Sequence, residues 1–130
     1  MMIIAGCSGG SSPTDPVIID SIALDSISPA STTTLTAGSR VTFTGHVRYT
    51  LGSASTGHVS IVIQDQSSNR LSTTVPQPIM AVTRGGGTVD LSDSITVPAT
   101  GVTSVNVFFP LFPAGVTQTS TVQVVRYSVR

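Results

Sequence analysis

Arg40-Val41-Thr42-Phe43-Thr44-Gly45-His46-Val47-Arg48-Tyr49-Thr50-Leu51 is the stretch whose reading decides the fold. In an extended chain Val41, Phe43, Val47, Tyr49 and Leu51 fall on one side, and Thr42, Thr44, His46, Arg48 and Thr50 on the other. Successive side chains of a strand point to opposite faces, so this period of two predicts a half-buried β-strand. Gly45 stands on the apolar side. A missing side chain there predicts a bulge, or the close approach of a large neighbour such as an aromatic ring.

Shorter runs of the same kind extend in both directions, separated by turn signals at the spacing of a sandwich or barrel. Upstream lie residues 17–24, stopped by Ser28-Pro29-Ala30-Ser31, and a short extended piece at 33–36 before the turn Ala37-Gly38-Ser39. Downstream, 52–57 reads as a loop and 58–64 as a strand with Val59, Ile61 and Ile63 inward. Residues 65–69 read as a turn, and 70–74 as a short edge strand kept out of a central ladder by Pro76 and Pro78. Residues 79–83 form another strand, closed by the turn Arg84-Gly85-Gly86-Gly87, whose glycines tolerate positive φ. Val89, Leu91, Ile95 and Val97 share a face in 88–97, as do Val105, Val107, Phe109 and Leu111 in 104–111. In 120–129 the apolar phase changes between Val122/Val124 and Val125/Tyr127/Val129, which predicts a β-bulge.

The fold class expected is therefore all-β: an antiparallel sandwich of about seven or eight strands over residues 17–130. Composition agrees. Val, Ile and Thr abound, while Glu and Lys are absent, so local propensity favours strand throughout. A chain of 130 residues with 39% hydrophobic content supports one compact core. Arg40, Arg48, Arg70, Arg84, Arg126 and Arg130 are scattered singly in a chain of zero formal net charge. No basic stripe forms to displace counterions from phosphates, which speaks against nucleic acid as a partner.

The first sixteen residues have a different character. Ile4-Ala5-Gly6-Cys7 resembles the lipobox of bacterial lipoproteins, in which a small residue precedes a cysteine that is lipidated and becomes the mature N-terminus. The resemblance covers these four positions. It implies that residues 1–6 are the remnant of a signal peptide and that Cys7 carries the lipid anchor. Ser8-Gly9-Gly10-Ser11-Ser12-Pro13-Thr14-Asp15-Pro16 then has the composition of a flexible, disordered tether over 7–16. Met1 to Ala5 are shorter than the apolar core of about 7 to 15 residues that a secretory signal needs, so the true start is expected upstream. Ser8 after the cysteine is not the Asp of an inner-membrane retention signal, which, in a host with two membranes, implies a cell-envelope location at the outer membrane, facing the periplasm or the cell surface. Residues 17–130 look like the Ig-like or fibronectin-type modules of bacterial surface proteins, without the Cys and Trp landmarks of antibody domains.

The residue inventory leaves little for catalysis or ligation. There is no Glu, and the chain holds six dispersed Asp and two His. General acid and base chemistry thus has few candidates. His46 and His58 would approach each other only if their strands pair, and a metal would still need a third ligand. Asp65, Ser67 and Asn69 alternate as oxygen donors, but their turn lacks the glycine and distal carboxylate of a calcium loop. The expectation is that they cap their own backbone. No metal or cofactor is assigned. Strict alternation would bury Asp93 between Leu91 and Ile95, where an unpaired carboxylate is costly. A bulge at 92–94 that turns it outward, or an Arg partner, is expected instead.

Phe108-Phe109-Pro110-Leu111-Phe112-Pro113 holds three of the four phenylalanines, and a period of two buries only Phe109 and Leu111. Phe108 and Phe112 either cap the open end of the sandwich, pack under a neighbouring loop, or form an exposed aromatic patch at the end of the domain, the kind of surface that anchors a partner. They are the candidate interaction residues. The function these features imply is a non-enzymatic, lipid-anchored envelope protein with a structural, adhesive or protein-interaction role. A carbohydrate- or metal-binding module, or a subunit of a secretion or fibre assembly that pairs through edge strands, is the alternative.

Overall fold

The computed structural model describes residues 19–116 and 118–130. Cys7, the tether and the signal remnant lie outside them. Six strands form: β1 (Ser21–Ser28), β2 (Arg40–Ser60), β3 (Val62–Asp65), β4 (Ile79–Thr96), β5 (Ser104–Pro113) and β6 (Thr121–Ser128). The chain is all-β, and every pairing between these strands is antiparallel.

The hydrogen-bonded order is β1-β2-β5-β3, with β4 also on β2 and β6 also on β5. β2 is the hub because its two halves lie in different layers. Residues 40–51 pair with β1 and with 85–96 of β4. Residues 56–60 pair with 79–83 of β4, and 57–59 pair with the end of β5. Contacts between non-bonded strands show that the sheet doubles back. Phe43 in the first half of β2 meets Tyr127 of β6 with ring centroids 5.1 Å apart.

Six strands replace the expected seven or eight because two anticipated breaks are strand. The supposed loop at 52–57 lies inside β2, and the supposed turn at 84–87 lies inside β4. Leu51 faces Gly85 and Thr56 faces Thr83, so residues 52–55 of β2 oppose the single Arg84. Gly85 takes φ +109° there, and Arg84 Nη1 donates to the Gly52 carbonyl at 3.1 Å. The glycines bend two continuous strands from one layer into the other, as a bulge does. A hairpin would have ended them.

Smaller boundaries also move. The first strand starts at Ser21, later than the apolar run suggested. The 33–36 piece contributes one parallel bridge, Leu35 to Val129, and 70–74 contributes one antiparallel bridge, Arg70 to Gln64. The predicted bulge in the last strand is absent, since β6 pairs with β5 without a slip. Val125 and Tyr127 point inward and Val122 and Val124 outward. One further gap has a covalent cause. The register of 57–59 with β5 continues unchanged through 62–65, placing Ser60 opposite Pro110. Proline has no N–H to donate, so the ladder lapses at Ile61 and β3 counts as a separate strand.

The core lies between the layers and is built from the alternate residues expected. Phe43, Val47, Leu51, Val59, Ile61, Ile63, Val97, Val105, Val107, Phe109, Leu111 and Tyr127 are fully buried. Each buried Val, Leu, Ile or Phe contributes about 1.5–3 kcal/mol relative to exposure. Tyr127 keeps its hydroxyl satisfied by donating to the Pro29 carbonyl at 2.7 Å, and burial pushes its phenol up to about 12.

Asp93 is buried, contrary to expectation. No bulge turns it, because Phe43 pairs with Asp93 within an unbroken register, and no Arg meets it. Its carboxylate accepts hydrogen bonds from the Ser72 hydroxyl, from Thr74 Oγ1 at 2.5 Å and from the Ser94 N–H at 2.9 Å. Those donors meet the cost of burying it. They also fasten the 70–78 segment across the side of the sandwich.

Candidate functional site

Alternation along β5 determines what Phe108 and Phe112 do. The odd positions Val105, Val107, Phe109 and Leu111 fill the core, and strand geometry turns the even positions away from it, where Asn106 and Pro110 are buried and Phe108 and Phe112 half-buried. Because β5 stays regular through Pro113, both phenylalanines stand on the outer face of the second layer and do not cap its end. Phe108 lies between Val62 and Val124 on the neighbouring strands, and Pro110 lies beside Val122. Phe112 faces His58, and the two rings stack with centroids 4.9 Å apart at 27°.

These side chains enclose an open groove of about 300 Å³ lined by Val62, Gln64, Phe108, Pro110, Phe112, Thr119 and Val122. Val122 and Val124, in the first half of β6, are 45% and 40% exposed. One end of the strip is polar, where Arg126 Nε donates to Asn106 Oδ1 at 3.0 Å beside Gln64. The structure therefore brings Phe108 and Phe112 onto one surface and adds Val62, Val122 and Val124. The bulge expected in this strand would have put Val122 and Val124 on the same face as Val125 and Tyr127, because valine suits either face of a strand. The unbroken alternation with Val125 and Tyr127 was the signal that could have placed them.

The other candidate residues remain apart. His46 lies on the outer face of the first layer in contact with the Asp90 carboxylate, whereas His58 belongs to the second layer with Phe112. They share strand β2 and form no joint site. Asp65 caps its own turn: its carboxylate accepts from the N–H groups of Ser67 (2.8 Å) and Asn69 (2.9 Å) and from Asn69 Nδ2 (3.1 Å). The backbone hydrogen bond from Asn69 is the leading cause that holds this carboxyl below its ordinary value. Among the described residues, no three His, Cys or Asp side chains are grouped to hold a metal ion.

Asp20 fastens the entry of the chain to the domain. Partial burial pushes its carboxyl up, but bonds from Ser53 Oγ, the Gly52 and Ser53 N–H groups and Ser120 outweigh that and bring it down to about 2. The Gly52 and Ser53 N–H contacts measure 2.7 and 2.9 Å.

No family model matches the sequence, and no curated protein matches it. Among solved structures, the chain is similar to a family 123 glycoside hydrolase from Clostridium perfringens, studied for glycolipid glycan hydrolysis, at a TM-score of 0.35 and 8% identity. The match covers 85% of this chain and 27% of that one, so the chain spans about a quarter of the hydrolase. At that TM-score the likeness carries neither fold nor chemistry across.

Proposed function

We propose that this chain is a non-enzymatic lipoprotein of the bacterial cell envelope, anchored through Cys7, whose Ig-like domain docks a protein partner at the outer membrane. The observation that carries the reading is the apolar strip on the outer face of β5. Phe108 and Phe112 contribute nothing to the core between the layers, and Val122 and Val124 extend their surface onto β6. Phe108 and Phe112 are half-buried and Val122 and Val124 exposed, and a partly exposed apolar strip ending at a charged group such as Arg126 is characteristic of interaction sites. The lipobox resemblance and the Gly/Ser/Pro tether supply the anchor. The non-catalytic part of the reading rests on the sparse acid–base inventory, in which the two histidines are separately engaged by Asp90 and Phe112.

The test is capture by cross-linking from native membranes, with the lipidated chain as bait. Replacing Phe108 and Phe112 with Ser should leave the thermal transition intact and remove the specifically cross-linked protein. Unchanged capture by the double variant would overturn the docking role. Acyl label retained by Cys7→Ser would overturn the anchor.

A further inference from the structure

The two layers are not equally closed at their sides. Along β6 the far edge is taken at its end by Leu35, whose N–H donates to Ser128 O at 2.8 Å and whose carbonyl accepts from Arg130 N at 2.9 Å. β1, one edge strand of the other layer, carries a register slip between Leu24 and Ser26; residues 85–96 of β4 are the other edge, where Asp93 holds Ser72 and Thr74. Residues 79–83 of β4 have none of these protections. They pair with β2 on one side and with no strand on the other.

Backbone parity identifies the groups left open. Thr56 O accepts from Ala114 N at 2.8 Å, so the even residues of this part of β2 bond towards β5. Gly57 and Val59 then bond towards β4, where they face Val82 and Met80. It follows that Ile79, Ala81 and Thr83 direct their N–H and C=O groups to the free edge. Among the described residues none of these groups has a backbone partner. Side chains give the same picture: Ile79 is 55% exposed and Met80 42% exposed, although neighbours in a strand point to opposite faces. The outer face of this half-strand is thus open, while on the inner face Met80 is exposed and Val82 beside it is buried in the core. Natural sheets usually guard such an edge with Lys, Pro or a bulge; here Pro78 and the bulge at Arg84 bound the edge on either side, and residues 79–83 between them contain none of these.

We propose that this edge pairs with a second copy of the chain, antiparallel and centred on Ala81. Ala81 then faces Ala81 of the second copy, and Ile79 faces Thr83 of the second copy in both directions. In this register all three open residues fall in hydrogen-bonded pairs, which satisfies both edges with about six hydrogen bonds. Met80 lies beside Val82 of the second copy on the inner side, and the small Ala81 keeps the two-fold axis free of bulk. Ile79, Ser60, Pro110 and Val122 form one row across the outer face, but Ser60, bonded to Gln77 and to the Pro78 carbonyl, and Pro110 are buried, so only the two ends of the row are exposed. The inference does not depend on what the Phe108–Phe112 groove binds.

Sedimentation equilibrium of the full chain, under reducing conditions so that Cys7 cannot cross-link, tests it. A reversible monomer–dimer equilibrium is expected. Ala81→Pro should raise the dissociation constant at least about tenfold with the far-UV spectrum unchanged, because the Ala81 N–H bonds nothing inside the fold and proline is tolerated on such an edge. Ile79→Lys should act the same way through charge, and it carries the test should Ala81→Pro fail to fold. A wild-type chain that stays monomeric to about millimolar concentration overturns the proposal, since it corresponds to under about 4 kcal/mol of association. So does a folded Ile79→Lys or Ala81→Pro variant that dimerises as tightly as wild type. Loss of the dimer in the Phe108→Ser/Phe112→Ser protein alone would overturn it too, moving the self-contact to the groove.

Discussion

Gly45 of β2 lies directly beneath the ring of Phe109 of β5, on the opposite layer. A Cβ placed on Gly45 would stand 2.6 Å from Phe109 Cε1, closer still to Cζ, and 3.4 Å from Leu24 Cδ1. Phe109 is fully buried, so its ring has no free space to enter. The absent side chain at 45 sets how closely the two layers approach at this point.

Gly45→Ala should therefore overpack the core and cost about 1–3 kcal/mol. Urea denaturation measures the loss. Combining it with Phe109→Leu should cost less than the sum of the two single changes, since the smaller side chain clears the space. Strict additivity would show that the ring is not what Gly45 accommodates.

Neighbouring phenylalanines should behave oppositely. Phe109→Ala removes a fully buried ring and should cost about 3–5 kcal/mol. Phe108→Ser and Phe112→Ser act on the outer face, so each should stay below about 1.5 kcal/mol. A core-sized loss for Phe108 would mean that it holds the layers together and is not available to a partner.

Asp93→Ala should leave the buried Ser72 hydroxyl and Thr74 Oγ1 without their acceptor, at a cost of about 1–3 kcal/mol. Asp93→Asn keeps an acceptor oxygen and should lose less. Hydrogen exchange should show the 70–78 segment opening in Asp93→Ala while β5 stays protected. Uniform loss of protection would assign Asp93 to the core as a whole.

Acid should act through Asp20. Its folded carboxyl sits near 2, below the ordinary 3.8, so the charged form is favoured by folding. The resulting stability is present above about pH 4 and is lost as the pH falls through about 2. Asp20→Asn should flatten that part of the pH–stability profile and leave neutral pH values on their own plateau. An identical acid limb in the variant would locate the proton uptake elsewhere.

Much of the fold was legible because strand periodicity is a local property. The residues expected inward in 58–64 and 104–111 are buried, together with Ser60, Asn106 and Pro110 of the other face, and Gly45 meets an aromatic ring as its place on an apolar face implied. Phe108 and Phe112 were legible as residues the core could not take. Their position on the outer face was not, since it depends on β5 running straight through Pro110 to Pro113.

By itself the sequence determined the strand character, the alternation of core and surface, and the turn at 65–69, all consequences of φ/ψ preference and the two-residue repeat. Only the tertiary structure decided the rest. Glycines at 57 and 85–87 read as stops, but pairing with a neighbouring strand carries the backbone through them. Asp93 draws its hydroxyl donors from Ser72 and Thr74, about twenty positions away, and no local window contains that partnership. Valine at 122 and 124 suits either face, and the register with β5 alone puts both outside. Pairing across the sequence sets these outcomes, because a backbone hydrogen bond or a buried carboxylate is satisfied by whatever the fold brings to it.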